Sequence, residues 1–402
     1  MSEFDEELGT RRDAIREQGL YRELRRINSP QLPHTQVDTQ TLLNFSSNDY
    51  LGLANHPLLK EAATRGIERY GAGSGASRLV CGSLAPHHEL EQAIAAFKGT
   101  EAAITFSSGY AAALGVICAL MDAHDVIVTD RLVHASIIDG ARLCGAELRV
   151  FAHNDLAALA KILRWANRRN AELSGQRRPR TLIVTESVFS MDGDFALLRD
   201  LVELKEQHHA LLMVDEAHAT GLYGEKRRGL AEEFGVADRI EIQMGTLSKA
   251  LGAAGGYICG SRVLIDYLVN RARTFIFSTA PVPAAAAAAT AAIHIVESDE
   301  GHMRRSQLWA RVDQVKNGLI AAGFALAPVR SAIIPLVIGE ENRTIEAAAA
   351  LREQGVFVPA IRYPSVARGQ ARLRLTVSAA HAAADVSQLV AAVSNLKLEI
   401  CR

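Results

Sequence analysis

Leu211-Leu-Met-Val-Asp215-Glu-Ala-His218 is an uninterrupted apolar run closed by a carboxylate, with an imidazole three residues further on. Apolar residues in succession, without polar alternation, are what a strand needs when both of its faces are covered. The same signature recurs at Ala102–Phe106, Val126–Thr129, Leu148–Phe151, Leu182–Thr185, Ile240–Met244 and Tyr257–Cys259. Helical patterns lie between these runs, at Gly109–Met121, His134–Cys144, Asp155–Asn170 and Leu197–Gln207. The alternation implies an α/β fold around a mostly parallel, doubly wound sheet. Ligands of such sheets bind beyond the carboxyl ends of the strands. Ser107-Ser108-Gly109, Asp130, Glu186, Asp215 and Thr246 all fall there.

On either side of this region the pattern changes. Residues 1–45 read as an amphipathic helix followed by an arm containing Ser29-Pro30-Gln-Leu-Pro33. After residue 283 a long helical stretch, Ala284–Ala322, precedes short strands, Pro-bearing turns and an alanine-rich helix, Asp385–Leu396. The expected division is an N-terminal helix and arm (1–48), a large α/β domain (49–283) and a smaller α+β C-terminal domain (284–402). At 402 residues, 49% apolar and 22% charged, the chain has the composition of a globular protein with a large core. A net charge of −1 offers no bulk attraction to nucleic acid or to an anionic membrane. No stretch approaches the roughly 20 apolar residues of a membrane span, and the acidic start Met-Ser-Glu-Phe-Asp-Glu-Glu is no signal peptide. The five cysteines, Cys81, Cys118, Cys144, Cys259 and Cys401, are scattered, odd in number and without a C-x-x-C pair. That argues against a disulfide framework or a metal site and fits the cytoplasm. Six arginines between Arg164 and Arg180 fit a solvated helix end and loop better than a grip on a phosphorylated carrier.

The chemistry centres on Ile240-Glu-Ile-Gln-Met-Gly-Thr-Leu-Ser-Lys249, which runs on into Ala-Leu-Gly-Ala-Ala-Gly-Gly256. A lysine among Gly, Ala, Thr and Ser has little polar company for its ammonium, a setting that suits a Schiff-base amine. A surface lysine at a glycine-rich turn fits the motif equally. Asp215 suits a carboxylate facing a cationic ring nitrogen, and also a helix N-cap. Ser108, with the amides of Gly109 and Tyr110, can present donors to a phosphate at a helix N-terminus. This turn is neither G-x-x-x-x-G-K-[ST] nor G-x-G-x-x-G. Gly71-Ala-Gly73-Ser-Gly75 has no apolar strand before it, and reads as flexible backbone or as close approach to a ligand. His134 is suited to stacking on a planar ring or to acid catalysis, and also to a solvated helix start. Together a phosphate turn, a ring-stacking His, an Asp at a strand end, and a Thr three residues before a Lys form the inventory that pyridoxal phosphate needs.

Longer motifs sharpen this. They include Asn44-Phe-Ser-Ser-Asn-Asp-Tyr-Leu-Gly-Leu53, Gly71-Ala-Gly-Ser-Gly-Ala-Ser-Arg78, His88-Glu-Leu-Glu91 and Asp130-Arg-Leu-Val-His134-Ala-Ser136. Ser190-Met-Asp-Gly-Asp194, Val214-Asp-Glu-Ala-His218, Gly245-Thr-Leu-Ser-Lys249 and Ala371-Arg-Leu-Arg374-Leu complete the set. Over nearly its whole length the chain resembles the α-oxoamine synthases, fold-type I pyridoxal-phosphate transferases. Phe151-Ala-His-Asn-Asp-Leu156 and Ala360-Ile-Arg362 are most similar to the biotin-pathway members, which join L-alanine to a pimeloyl thioester of coenzyme A or acyl carrier protein. The resemblance implies that Lys249 holds the cofactor, His134 stacks on its ring, Asp215 pairs with the pyridine nitrogen and His218 with the phenolic oxygen. It implies that Ser108, Gly109, Tyr110 and Thr246 bind the phosphate, and that Ser190 also contacts the cofactor. Arg374 matches the arginine for the amino-acid carboxylate, and Arg22 the one for the distal carboxylate of the acyl chain. Asn48 is expected to reach the site of a neighbouring subunit in a homodimer. Members acting on other amino-acid and acyl pairs, of the glycine C-acetyltransferase, 5-aminolevulinate synthase and serine palmitoyltransferase types, share the chemistry. So does the scaffold of a non-catalytic carrier-binding protein, against which an intact Lys249, Asp215 and Thr246 argue. One departure bears on the acyl chain: where the family often reads Ile-Arg-Pro-Pro-Thr-Val-Pro, this sequence has Ile361-Arg-Tyr363-Pro-Ser365-Val-Ala367.

Overall fold

The computed structural model describes residues 2–173 and 178–396, so Arg177 and Cys401 lie outside the described residues. The chain forms two units, each discontinuous in sequence. One comprises Met1–Tyr50, Met191–Gly193 and Ser306–Arg402, and the larger one Leu51–Ser190 and Asp194–Arg305. The first 50 residues thus group with the C-terminal part of the chain. The N-terminal helix Glu3–Glu17 buries none of its residues and is capped by Ser2, whose hydroxyl accepts from the Asp5 amide. Beyond it β1 (His34–Val37) pairs antiparallel with β2 (Gln40–Asn44).

The larger unit holds a seven-stranded sheet. Its strands are β3 (Ala102–Phe106), β4 (Val126–Asp130), β5 (Glu147–Phe151), β6 (Thr181–Glu186), β7 (Leu211–Asp215), β8 (Ile242–Thr246) and β9 (Gly256–Gly260). Their order is β3-β9-β8-β7-β6-β4-β5. From β5 to β8 every pairing is parallel, and β9 runs antiparallel to both β3 and β8. Parallel neighbours need a long crossover, whereas a short turn returns the chain antiparallel. The connection from Thr246 to Gly256 is such a turn, and it carries Lys249. Strands β3, β4, β6 and β8 are buried at every position, as two covered faces require. The helix Gly109–Leu120 packs Ala112, Ala113, Val116 and Ile117, all fully buried, into a core with Ile104, Phe106, Met244 and Ile258. Strand β8 begins two residues later than its apolar run suggests, because Ile240 closes the 3-10 turn Ala237–Arg239. The expected helical stretch Ala284–Ala322 is two helices, Pro283–Glu297 and Asp299–Ala321, separated at Ser298.

Behind β7 lies a buried ion pair. Lys98 Nζ is 2.5 Å from Glu216 Oε2, and both side chains are almost fully excluded from solvent. Lys98 also donates to the Arg228 carbonyl, and Glu216 accepts from the Ala231 amide at 2.9 Å. Removing one member strands a buried charge, at a cost of about 3–5 kcal/mol. Lys98→Met is therefore expected to lower the free energy of unfolding by that amount. A change below about 1 kcal/mol in an unfolding titration would show that the pair does not hold the segment after Asp215.

In the other unit β10 (Ile333–Gly339) and β12 (Ala360–Ile361) flank β13 (Ala371–Thr376), both antiparallel to it. The two-residue β11 (Val356–Phe357) adds to β2 in parallel. Every side chain of β13 is buried, including Arg372 and Arg374.

Candidate active site

In the larger unit the sequence-selected residues sit at strand ends. Asp215 ends β7 and is buried, and its Oδ1 accepts from the Ala217 amide at 2.9 Å. No helix starts there, so the capping role open to Asp215 in the sequence is not used. Its register partner on β6 is Glu186, also buried. Burial raises the pKa of Asp215, while the nearby charge of Lys249, the Ala217 amide and His134 act the other way. Burial together with the charge of Asp215 pushes Glu186 up to about 8, against the opposing pull of Lys249 and of backbone hydrogen bonds from His134 and Ser190. Glu186 Oε1 is buried without a hydrogen-bond partner. Two adjacent desolvated carboxyls form a site that favours an incoming cation. His218 is buried three residues beyond Asp215.

His134 caps the helix Ala135–Leu143, and its Nδ1 lies 2.8 Å from Ser136 Oγ and accepts from the Ser136 amide at 3.3 Å. That assigns the proton of the neutral ring to Nε2. His134 is exposed as a residue. Desolvation nonetheless lowers its pKa, with Asp215 opposing and Lys249 reinforcing the shift. The charges of Asp215 and Lys249 thus reach both His134 and Glu186 across one set of strand ends.

The turn that the sequence offers to a phosphate is the start of a helix. Ser108 caps the helix Gly109–Leu120, its Oγ accepting from the Ala111 amide at 3.1 Å, which leaves the hydroxyl proton available. Thr246 ends β8, buried, with Oγ1 2.9 Å from the Gly255 carbonyl and 2.8 Å from Ser248 Oγ. A methyl placed on Gly109 would stand 4.0 Å from Thr246 Oγ1, and one on Gly256 would strike Gly109 Cα at 2.6 Å. Glycine at 256 lets β9 and the helix start meet, beside Thr246, whereas a methyl at 109 would make only ordinary contacts. The Tyr110 hydroxyl is turned to Asp139 at 2.5 Å, which leaves the Tyr110 backbone amide as the group that could face an anion. Ser190 lies half-buried in the turn after β6. A helix N-terminus for an anion and a desolvated carboxylate for a cationic ring nitrogen are features that fit pyridoxal phosphate.

The other unit brings three further residues into two groups. Arg374 Nη1 donates to Asn48 Oδ1 at 3.1 Å and to Thr376 Oγ1 at 2.9 Å. Asn48, expected at the site of a neighbouring subunit, is held by an arginine of its own chain. Arg22 is exposed, and its Nη2 donates to the Tyr363 carbonyl at 3.3 Å, on the loop that departs from the family pattern. Arg362, which the sequence marks within Ala360-Ile-Arg362 without giving it a role, holds the arm by donating to the carbonyls of Gly19 and Tyr21. Burial and the charge of Arg22 lower its pKa.

Of the arginine-rich segment, Arg169 pairs with Glu147 at 2.8 Å and Arg180 with Asp125 at 3.8 Å. At the glycine-rich stretch, Gly71 and Gly75 adopt φ of 82° and 74°, a region that favours glycine.

Residues 40–393 match the model of the class I and II aminotransferases. The 8-amino-7-oxononanoate synthase of Geotalea daltonii is 48% identical over 396 residues, covering 98% of each chain. The chain belongs to this family, on its 8-amino-7-oxononanoate synthase branch. A synthase of the same name from Anaeromyxobacter dehalogenans is 49% identical, covering 96% of this chain and 94% of the relative. Among solved structures, a serine palmitoyltransferase from S. paucimobilis with bound PLP–myriocin superposes with a TM-score of 0.89, at 28% identity over 98% of each chain. The 8-amino-7-oxononanoate synthase of Francisella tularensis gives 0.72 at 29% identity, over 88% of this chain and 97% of that one. Backbone similarity therefore establishes the fold-type I transferase fold without separating the branches, and identity near 48% is what separates them. The family is pyridoxal-phosphate dependent, and the strand ends described above fit that cofactor.

Proposed function

We propose that the chain catalyses the decarboxylative condensation of L-alanine with a pimeloyl thioester, giving 8-amino-7-oxononanoate, carbon dioxide and the free thiol carrier for biotin synthesis. The observation that supports this most is the near full-length identity to synthases of that name. Pyridoxal phosphate, when bound, supplies the sink for negative charge that develops at the amino-acid α-carbon. Lys249 would carry it covalently, and the same amine moves the alanine α-proton. Asp215 would hold the ring nitrogen protonated, its burial making a cationic partner favourable, and His218 would bond the phenolic oxygen. Ser108, the amides of Gly109 and Tyr110, and Thr246 would hold the phosphate. His134 would stack on the ring and, through its Nε2 proton, polarise the acyl carbonyl. Ser190 would also contact the cofactor. Arg374, oriented by Asn48, binds the alanine carboxylate as a charge-assisted pair.

Arg22 receives the distal carboxylate of the pimeloyl chain. Arg22→Ala is expected to raise KM for the pimeloyl thioester by about ten-fold or more and leave KM for alanine within about two-fold. Equal effects on both substrates would contradict the role.

Two copies of the chain form the working unit. Leu79, Val80, Phe277 and Val282 are exposed on neighbouring segments joined by the Ser77–Thr279 bridge, an apolar surface suited to a second copy. Val80→Asp combined with Phe277→Asp is expected to give a monomer by light scattering. An unchanged mass would place the interface elsewhere. The scattered cysteines support a reducing compartment, the cytoplasm.

A further inference from the structure

His153 follows β5, in the Phe151-Ala-His-Asn-Asp-Leu156 motif, and no role in the proposed reaction uses it. Its ring is clamped between two carboxylates. Nδ1 lies 3.1 and 3.2 Å from the two oxygens of Asp130, and Nε2 lies 2.7 Å from Asp194 Oδ2. Phe189 meets the ring edge-on, with centroids 4.4 Å apart. The next residue extends the clamp: the Asn154 amide donates to Asp130 Oδ2 at 2.9 Å, and Asn154 Nδ2 to the Phe195 carbonyl at 3.0 Å.

The two turns joined in this way are those that carry the cofactor contacts. Asp130 ends β4, accepts from the Leu132 amide at 2.8 Å and starts the turn that leads to His134. Asp194 closes the turn after β6, its carbonyl accepting from the Phe189 amide at 3.0 Å, next to Ser190. Both ring nitrogens face carboxylates, so both must donate, and the ring is an imidazolium. The charged groups facing it are Asp130 and Asp194. Burial opposes its charge, yet hydrogen bonds to these two carboxylates and their charge raise its pKa to about 10.

We infer that His153 is a positioning residue, a clamp charged at neutral pH that fixes the His134 turn against the Ser190 turn and so sets the cofactor's binding geometry. The inference rests on the placement of His134 and Ser190 at pyridoxal phosphate. A glutamine at this position has one donating and one accepting end, so it cannot serve two carboxylates at once. Partners that orient metal ligands from behind typically change affinity by about 10- to 100-fold, and a clamp behind cofactor contacts is expected to act on the same scale.

The test measures pyridoxal phosphate affinity by absorbance titration of the full chain. His153→Gln is expected to weaken binding about ten-fold, and Asp194→Asn, which removes one arm and keeps the ring, to weaken it in the same direction. His134→Ala with Ser190→Ala should also weaken binding, and His153→Gln added to that pair should weaken it no further. A merely structural His153 would lower the thermal midpoint but leave the affinity of the folded protein unchanged. Unchanged affinity in both His153→Gln and Asp194→Asn, or a full additional loss in the triple variant, would overturn the inference. If the His134 and Ser190 changes alone leave affinity intact, the cofactor placement and the inference fall together. If they weaken it and His153→Gln does not, the inference alone falls. A second readout follows from the charge. The folded pKa lies above the ordinary 6.5, so the wild type's thermal margin over His153→Gln is complete below about pH 6.5 and disappears as pH rises through 10. A margin independent of pH would contradict a charged clamp.

Discussion

Lys249→Ala, reconstituted with pyridoxal phosphate, is expected to lose about 10⁴-fold in turnover and to hold no cofactor covalently. Lys249 is placed by topology. The short turn between antiparallel β8 and β9 brings it back over the strand ends, half-buried. There its charge acts on Asp215, Glu186 and His134. In the proposed reaction a single amine would serve as both cofactor anchor and proton carrier, so one truncation would remove both. Borohydride reduction and peptide mapping should put the pyridoxyl label on Lys249 in the wild type and on no peptide of the variant. A label on another lysine, or normal visible absorbance of the variant, would rule out the assignment. An unlabelled wild type would instead favour a carrier-binding protein without catalysis.

Asp215→Asn is the second large effect, expected to reduce kcat/KM by about 10³-fold, roughly 4 kcal/mol. The amide keeps the shape of the side chain and the contact with the Ala217 amide, but cannot compensate a ring cation. Burial already makes the charge on Asp215 costly, and a bound cation offsets that cost. The loss should appear in kcat, because charge at the α-carbon develops during reaction and not on binding. A change within about five-fold would show that the ring nitrogen is held by another group.

Sequence patterns located the large sheet because buried parallel strands are continuous apolar runs. They failed where a polar residue occupies a core position. In β1, fully buried Thr35 hides the alternation, its hydroxyl bonded to the Leu32 carbonyl at 2.6 Å. The start of β8 was displaced because Ile240 is buried without being in the strand. Of the proposed site, residues within local motifs were legible: the Ser108 turn, Asp215, and Thr246 with Lys249. Residues whose meaning lies in a distant partner were not. Lys98 meets Glu216 118 positions away, and His153 meets Asp130 and Asp194, 23 and 41 positions away. Lys98 lies in no quoted motif, and His153, though inside Phe151-Ala-His-Asn-Asp-Leu156, has no legible role there, since each is an isolated polar side chain until the fold supplies its counter-charge. Asn48 was marked by its motif, but only the fold pairs it with Arg374.

The central claim is the choice of substrates. The direct measurement is a panel of alanine, glycine and serine against pimeloyl, acetyl, succinyl and palmitoyl thioesters, with carbon dioxide and free thiol quantified together. Alanine with the pimeloyl thioester should release both in equal amounts, with a kcat/KM at least about ten-fold above every other pair. A higher kcat/KM for another pair, or thiol release without carbon dioxide, would contradict it.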